Sequence, residues 1–210
     1  MMMLRGRKQM LYTRRHQSNG RSIRLIVYLT FLLASCSHLD FHPAPIVPTL
    51  SPLPYSGKIR LTEIESYMVR PGAVTSSNAQ IESQVTQVSD SLSAVKKEWE
   101  RAIADYLATR KTFTYLSTDS QTDLDVSLRL NVYIDPGLDF SFHHVYLARA
   151  DASLINPRTG RLQTYQGIGK SVGDVVRGGK EDDQDPTNAA VQSALNDLFG
   201  KIENDSTIRK

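Results

Sequence analysis

The chain has 210 residues and carries 25 Lys and Arg against 22 Asp and Glu, a formal net charge of +3. The excess lies wholly in residues 1–35, which hold seven basic side chains and no acidic one; the rest balances 18 basic against 22 acidic residues, a net −4, so net charge gives no ground for a nucleic-acid partner. With Cys36 as the sole cysteine, an intrachain disulfide and a thiolate metal cluster are excluded.

In chain order the first element is a leader, residues 1–35. Arg5, Arg7, Lys8, Arg14, Arg15, Arg21 and Arg24 precede the uncharged run LIVYLTFLLA, 25–34. A basic region, a short apolar run and small residues at its end have the layout of a bacterial export signal peptide. Ten apolar residues fall short of the roughly 20 that span a bilayer as a helix. A short buried helix is the other reading, but such a helix alternates apolar and polar faces and this run does not. At its end Leu33, Ala34, Ser35 and Cys36 resemble the lipobox of bacterial lipoproteins, with Leu three before the Cys and small residues between. The resemblance implies cleavage before Cys36, a diacylglycerol on its sulfur and an acyl chain such as palmitate on its new amino group. Three chains exceed the two signals that stable anchoring needs. Asp at position 37 would imply retention in the inner membrane; Ser37 implies the outer membrane, with the protein lipid-anchored and facing the periplasm.

Residues 36–56 follow as the lipidated cysteine and a proline-rich tether. Pro43, Pro45, Pro48, Pro52 and Pro54 are five of the nine prolines. Proline lacks the backbone donor and fixes φ, which excludes a helix interior or a central strand. The expectation is an extended spacer, at about 3.1 Å per residue, holding the domain some tens of Å from the membrane. A proline-rich ligand for a partner is the alternative.

Residues 57–204 read as one periplasmic domain of α+β class, before a short tail, 205–210. A first strand spans 57–65, with Ile59 and Leu61 on one face and a phase break at Ile64 that predicts a bulge or strand end. Pro71-Gly72 marks a turn, and Ser77 to Gln80 fits a capping box. Ile81, Val85, Val88, Leu92, Val95, Trp99, Ala102 and Tyr106 recur at alternating steps of four and three, which predicts one helix of about 30 residues. A coiled-coil seam shares that spacing, but the flanking strands favour a helix lying on a sheet. Residues 124–134 alternate Leu124, Val126, Leu128, Leu130, Val132 and Ile134 with polar partners, the pattern of a strand wet on one face. Asp135-Pro136-Gly137 has type II turn chemistry. Read as a tight hairpin, it places Asp125 opposite Arg149; a longer loop places Arg129 opposite Asp151. The next strand, 140–155, puts Phe140, Phe142, Tyr146, Ala148, Ala150, Ala152 and Leu154 on one face, the alanines forming a floor for a close helix. Asn156 to Gly160 turns into a strand over 161–169, a polar loop follows, and Asp185-Pro186 opens a last helix with the stripe Val191, Ala194, Leu195, Leu198 and Ile202. The prediction is a mostly antiparallel four-stranded sheet with two helices on one face, in the order β-α-β-β-β-α.

Behind a lipobox and a proline tether, this layout resembles small periplasm-facing lipoproteins of Gram-negative bacteria: the lipopolysaccharide-assembly lipoprotein, the YajG-like lipoproteins and the auxiliary lipoproteins of envelope ABC transporters. The likeness is one of architecture and carries over no residue beyond the lipobox. Candidate chemistry is sparse. Gly167 to Ser171, GIGKS, ends like a P-loop but has Thr164 where the motif needs glycine. His143 and His144 are neighbours on a strand and point to opposite faces. Residues 181–185, EDDQD, lack the spaced oxygens of a calcium loop. No motif places a nucleophile. The expectations are no catalytic residues, no metal and no cofactor, with Arg129, Asn131, Tyr133, Arg149 and Tyr165 as a candidate interaction face on the uncovered side of the sheet. The function expected is a non-enzymatic binding or accessory component of an envelope transport, secretion or assembly system, with an envelope protein as partner. An exported enzyme or metal-binding protein whose site forms only in three dimensions is the alternative.

Overall fold

The computed structural model describes residues 41, 43–76, 78–88, 95–117, 122–137, 143–174 and 186–209. Six strands form one sheet: β1 (Leu53–Val69), β2 (Val85–Val88), β3 (Phe113–Leu116), β4 (Leu124–Asp135), β5 (His143–Asn156) and β6 (Arg161–Asp174). Among the described residues two long helices accompany them, α1 (Lys96–Arg110) and α2 (Pro186–Asn204), besides one helical turn at Ala73–Ser76. The sheet runs β2-β1-β4-β5-β6, with β3 also on β1. Three pairs are antiparallel, while β1 is parallel to both β3 and β4. The class is α+β and the sheet mostly antiparallel, as expected, but it has six strands rather than four. The two strands missed, β2 and β3, are four residues each, too short to show a period of two.

β1 carries the predicted irregularity. Leu61 lies beside Leu128 and Glu63 beside Arg129, so Thr62 is extra and Ile64 returns to the inner face beside Leu130. Leu61 and Ile64 are both buried, which the uninterrupted alternation could not provide. The tight-hairpin register for β4 and β5 is wrong. Arg129 pairs with Asp151, Asn131 with Arg149 and Asp125 with Ile155. The strand phase was right and the loop longer, because β5 begins at His143; Phe140 and Phe142 lie outside the described residues. Asp135 explains what the turn residues do instead. Its buried carboxylate accepts the N–H groups of Gly72 (2.8 Å), Gly137 (2.9 Å) and Val74 (2.9 Å), pinning the turns after β1 and β4 to each other. Gly72 and Gly137 both have φ near +80°, a backbone conformation open to glycine.

The 30-residue helix is also corrected. Residues 78–84 form a 3-10 turn, Val85–Val88 pairs antiparallel with Tyr67–Val69, and among the described residues of this stretch only Lys96–Arg110 is α-helical. Val88 is 59% exposed, so it never belonged to an apolar stripe. The β-branched run VTQV satisfies the edge of β1, and that pairing overrides the helical spacing. Ser77 and Leu92 lie outside the described residues. Trp99, Ile103, Tyr106 and Leu107 make the true buried stripe of α1.

Both helices cover one face. Val191, Ala194, Leu195, Leu198 and Ile202 of α2 are fully buried over Ala148, Ala150 and Ala152, so the alanine floor is as expected. On β6, Gly167 and Gly169 extend that floor opposite Ala150 and Ala148. The opposite face is not uniformly wet. The chain between β1 and β2 folds over it, and Val69, Ala73, Val74, Ile81, Tyr133 and Leu147 form a second small core.

The proline-rich segment is docked: 43–52 is neither helix nor strand, and Leu53 to Ser56, Pro54 included, are already the start of β1, where the prolines argue against a strand. Phe41 is buried, stacked on Trp99 at 5.3 Å and edge-on to Tyr106 at 6.2 Å. The N–H of Ala44 donates to Gln192 Oε1 (2.9 Å), the N–H of Thr49 to the Arg110 carbonyl (2.8 Å), and the N–H of Leu53 to the Thr112 carbonyl (2.8 Å). The segment 43–52 therefore touches α2 and then α1 and enters β1 as a strap across the helical layer.

Candidate interaction surface

The face of the sheet away from the helices holds a chain of charge pairs. Arg129 on β4 donates to Glu63 on β1 at 2.6 Å and lies opposite Asp151 on β5. Arg149 reaches Asp151 at 2.9 Å and Glu82 of the 3-10 turn at 3.0 Å, and Gln166 on β6 donates to Asp151 at 2.8 Å. The network crosses β1, β4, β5 and β6. Its pairs are solvent-exposed, where each such contact adds about 0–1 kcal/mol, so it sets charge pattern more than stability. The Arg129 guanidinium is half exposed and the Arg149 one about a third.

The expected residues do not all meet there. Tyr133 is on this face but buried in the second core, stacked on Tyr67 at 5.3 Å. Burial pushes its hydroxyl pKa up, against a hydrogen bond with Asn131. Asn131 is buried too, and its Oδ1 has no hydrogen-bond partner among the described residues. Tyr165 is on the wrong face. It pairs with Ala152, an inward position, packs against the main core and donates to Asp205 at 2.5 Å. Burial and that carboxylate both raise its pKa. Arg129 and Arg149 remain as one surface. Leu33, Ala34, Ser35 and Cys36 lie outside the described residues, as does the acidic run 181–185.

Apolar side chains missed in the sequence border this surface. Ile155 and Leu162 pair at the end of the β5–β6 hairpin and are 41% and 60% exposed; Val172 is exposed further along β6. The strict alternation of β5 held the signal for Ile155, because an outward position there is apolar. On the helical side, two open clefts flank the strap. One of about 370 Å³ is bordered by Phe41, Pro43, Arg101 and Asp105, the other of about 470 Å³ by Val47, Leu50, Arg110 and Glu203. Among the described residues no group of three or more His, Cys, Asp or Glu is placed to hold a metal ion. Gly167 and Gly169 lie within β6 and face α2, so GIGKS is strand rather than a phosphate loop.

No protein-family model matches the chain, and no curated protein matches it. Among solved structures, a DUF330 protein from Xanthomonas campestris is similar at a TM-score of 0.44 with 8% identity, over 78% of this chain and 90% of that one. A putative neuraminyllactose-binding hemagglutinin homolog from Helicobacter pylori is similar at 0.34 with 15% identity, over 81% of this chain and 94% of that one. At these values neither likeness bears on family or function.

Proposed function

We propose that the chain is a membrane-anchored lipoprotein, acylated at Cys36 and held at the outer membrane facing the periplasm, where it serves a cell-envelope transport, secretion or assembly system as a non-enzymatic binding component. The observation that carries this reading is the sequence Leu33-Ala34-Ser35-Cys36 closing a basic and then apolar leader. Arg129, half exposed, and Arg149, about a third exposed, bordered by Ile155 and Leu162, supply the mixture of Arg and apolar side chains that protein interfaces favour.

The anchor is tested in cells. Mass spectrometry of the membrane fraction should find a mature chain beginning at an acylated Cys36, and Cys36→Ser should leave an unacylated, uncleaved precursor. An unmodified chain still beginning at Met1 would overturn the reading. The partner is tested with photocrosslinking residues at Arg129 and Leu162, since Tyr133 and Tyr165 are covered. A specific adduct with an envelope protein supports the binding role. Turnover of a substrate by the purified domain, with no adduct at any surface position, excludes it.

A further inference from the structure

Phe41 is 3% exposed, wedged against Trp99 and Tyr106, and it follows Cys36 by five positions in the sequence. Five residues reach at most about 18 Å when fully extended. The spacer length expected from the prolines is thus consumed along the helical layer rather than between domain and membrane. The outward side of the same strap is apolar. Val47 is 81% exposed and Leu50 fully exposed, while the other exposed large apolar side chains among the described residues lie between 41% and 63%. Pro45 and Pro48 are exposed beside them. A single exposed Leu is ordinary on a protein surface. Two of the barest apolar side chains on one segment, leading from the short link to a lipid, are not scattered singly.

We propose that this strap rests on the bilayer that carries the anchor, with Val47 and Leu50 in the headgroup region and the Arg129–Arg149 face of the sheet turned away from the membrane. The inference rests on the acylation of Cys36. The occupant is lipid because the anchor leaves the strap no more than a short link from the bilayer, and apolar contact in the interface adds to the hold of the acyl chains.

The test uses the full lipidated chain in vesicles of phosphatidylethanolamine and phosphatidylglycerol that contain a shallow spin-labelled lipid. An environment-sensitive dye is placed through Leu50→Cys or, on the outer sheet face, through Lys170→Cys, and mass spectrometry reads the acylation of Cys36 in each sample. Quenching by the labelled lipid at position 50 should exceed that at position 170 several-fold. Equal quenching, or more at position 170, overturns the apposition. Protection of position 50 from a water-soluble quencher without lipid quenching means that protein covers the strap, and also overturns it. With Cys36 acylated, either result removes this inference alone. A chain found unacylated removes the anchor reading as well.

Discussion

Glu203 concentrates more bonding than any residue singled out from the sequence. Its carboxylate, 2% exposed, accepts Nε and Nη2 of Arg110 at 3.0 and 2.8 Å, the Thr112 hydroxyl at 2.8 Å and the Thr49 hydroxyl at 2.8 Å. It thereby ties α2 to the end of α1, the start of β3 and the strap. Burial alone would lower the Arg110 pKa; the Glu203 carboxylate more than offsets that and raises it. Removing one partner of a buried ion pair costs about 3–5 kcal/mol, because the other charge stays buried and unpaired. Glu203→Ala should cost about that much in urea unfolding, and Glu203→Gln less, since its amide oxygen still accepts from one of the two threonine hydroxyls and its NH2 group can donate to the hydroxyl oxygen of the other. A loss below about 1 kcal/mol for Glu203→Ala, the range of an exposed pair, would show that the node is wet and replaceable. Nothing in the sequence marks Glu203. It follows Ile202 on a helix whose one other acid, Asp197, is turned to the edge of β6, and it is buried because the strap comes from 154 residues away to cover it.

Among elements, α2 against the sheet is where sequence and structure agree most closely, and the reason is steric. A Cβ built on Gly167 would sit 2.2 Å from the Ala194 carbonyl, and one on Gly169 2.1 Å from the Ala190 carbonyl. These are backbone atoms of α2, so the helix itself must move. Gly169→Ala should destabilise by about 1–3 kcal/mol or more and lower the melting temperature with no change in secondary-structure content by circular dichroism. A neutral result would mean that α2 rides higher than the glycines allow. The alanines of β5 and the stripe of α2 were legible because both obey one local period. The misread elements depended on distant partners. Val85 to Val88 became a strand because Tyr67 to Val69 offered an edge, and Tyr165 turned inward because the β5–β6 register placed it opposite Ala152. Of the candidate face, the arginines were legible as outward positions of alternating strands. The burial of Tyr133 was not, since its cover comes from the segment after β1.

The whole molecule protects its exposed strand edges by one device used twice. Among the described residues, β1 lacks a strand neighbour between the short contacts with β3 and β2. There Glu100 of α1 accepts the Leu61 N–H at 2.8 Å and Lys96 donates to the Thr62 carbonyl at 2.9 Å. At the other end of the sheet, Asp197 of α2 accepts the Ile168 N–H at 3.0 Å and Lys201 donates to the Gln166 carbonyl at 2.8 Å. Each pair is an acid and a lysine four apart on a helix, filling edge groups that would otherwise template another strand. The acid end of one cap makes the fold pH-sensitive. Partial burial pushes the Asp197 carboxyl up, but Lys201 and the Ile168 N–H more than reverse this and leave it below its usual pKa. Asp123, through the Ser56 N–H and hydroxyl, and Asp205, through Tyr165 and Thr207, are lowered as well. A folded-state pKa below the unfolded value means that the native state binds fewer protons. The stability these groups contribute is therefore complete above the unfolded carboxyl pKa of about 3.9 and is lost as pH falls through the folded values. The urea midpoint should be level from pH 7 to pH 5 in respect of these groups and fall towards pH 3. Asp197→Asn should lower the midpoint at pH 7 and make the fall shallower, since that position no longer titrates. A midpoint that rises between pH 5 and pH 3, or an unchanged slope in Asp197→Asn, would show that the edge cap is not charged in the way its hydrogen bonds require.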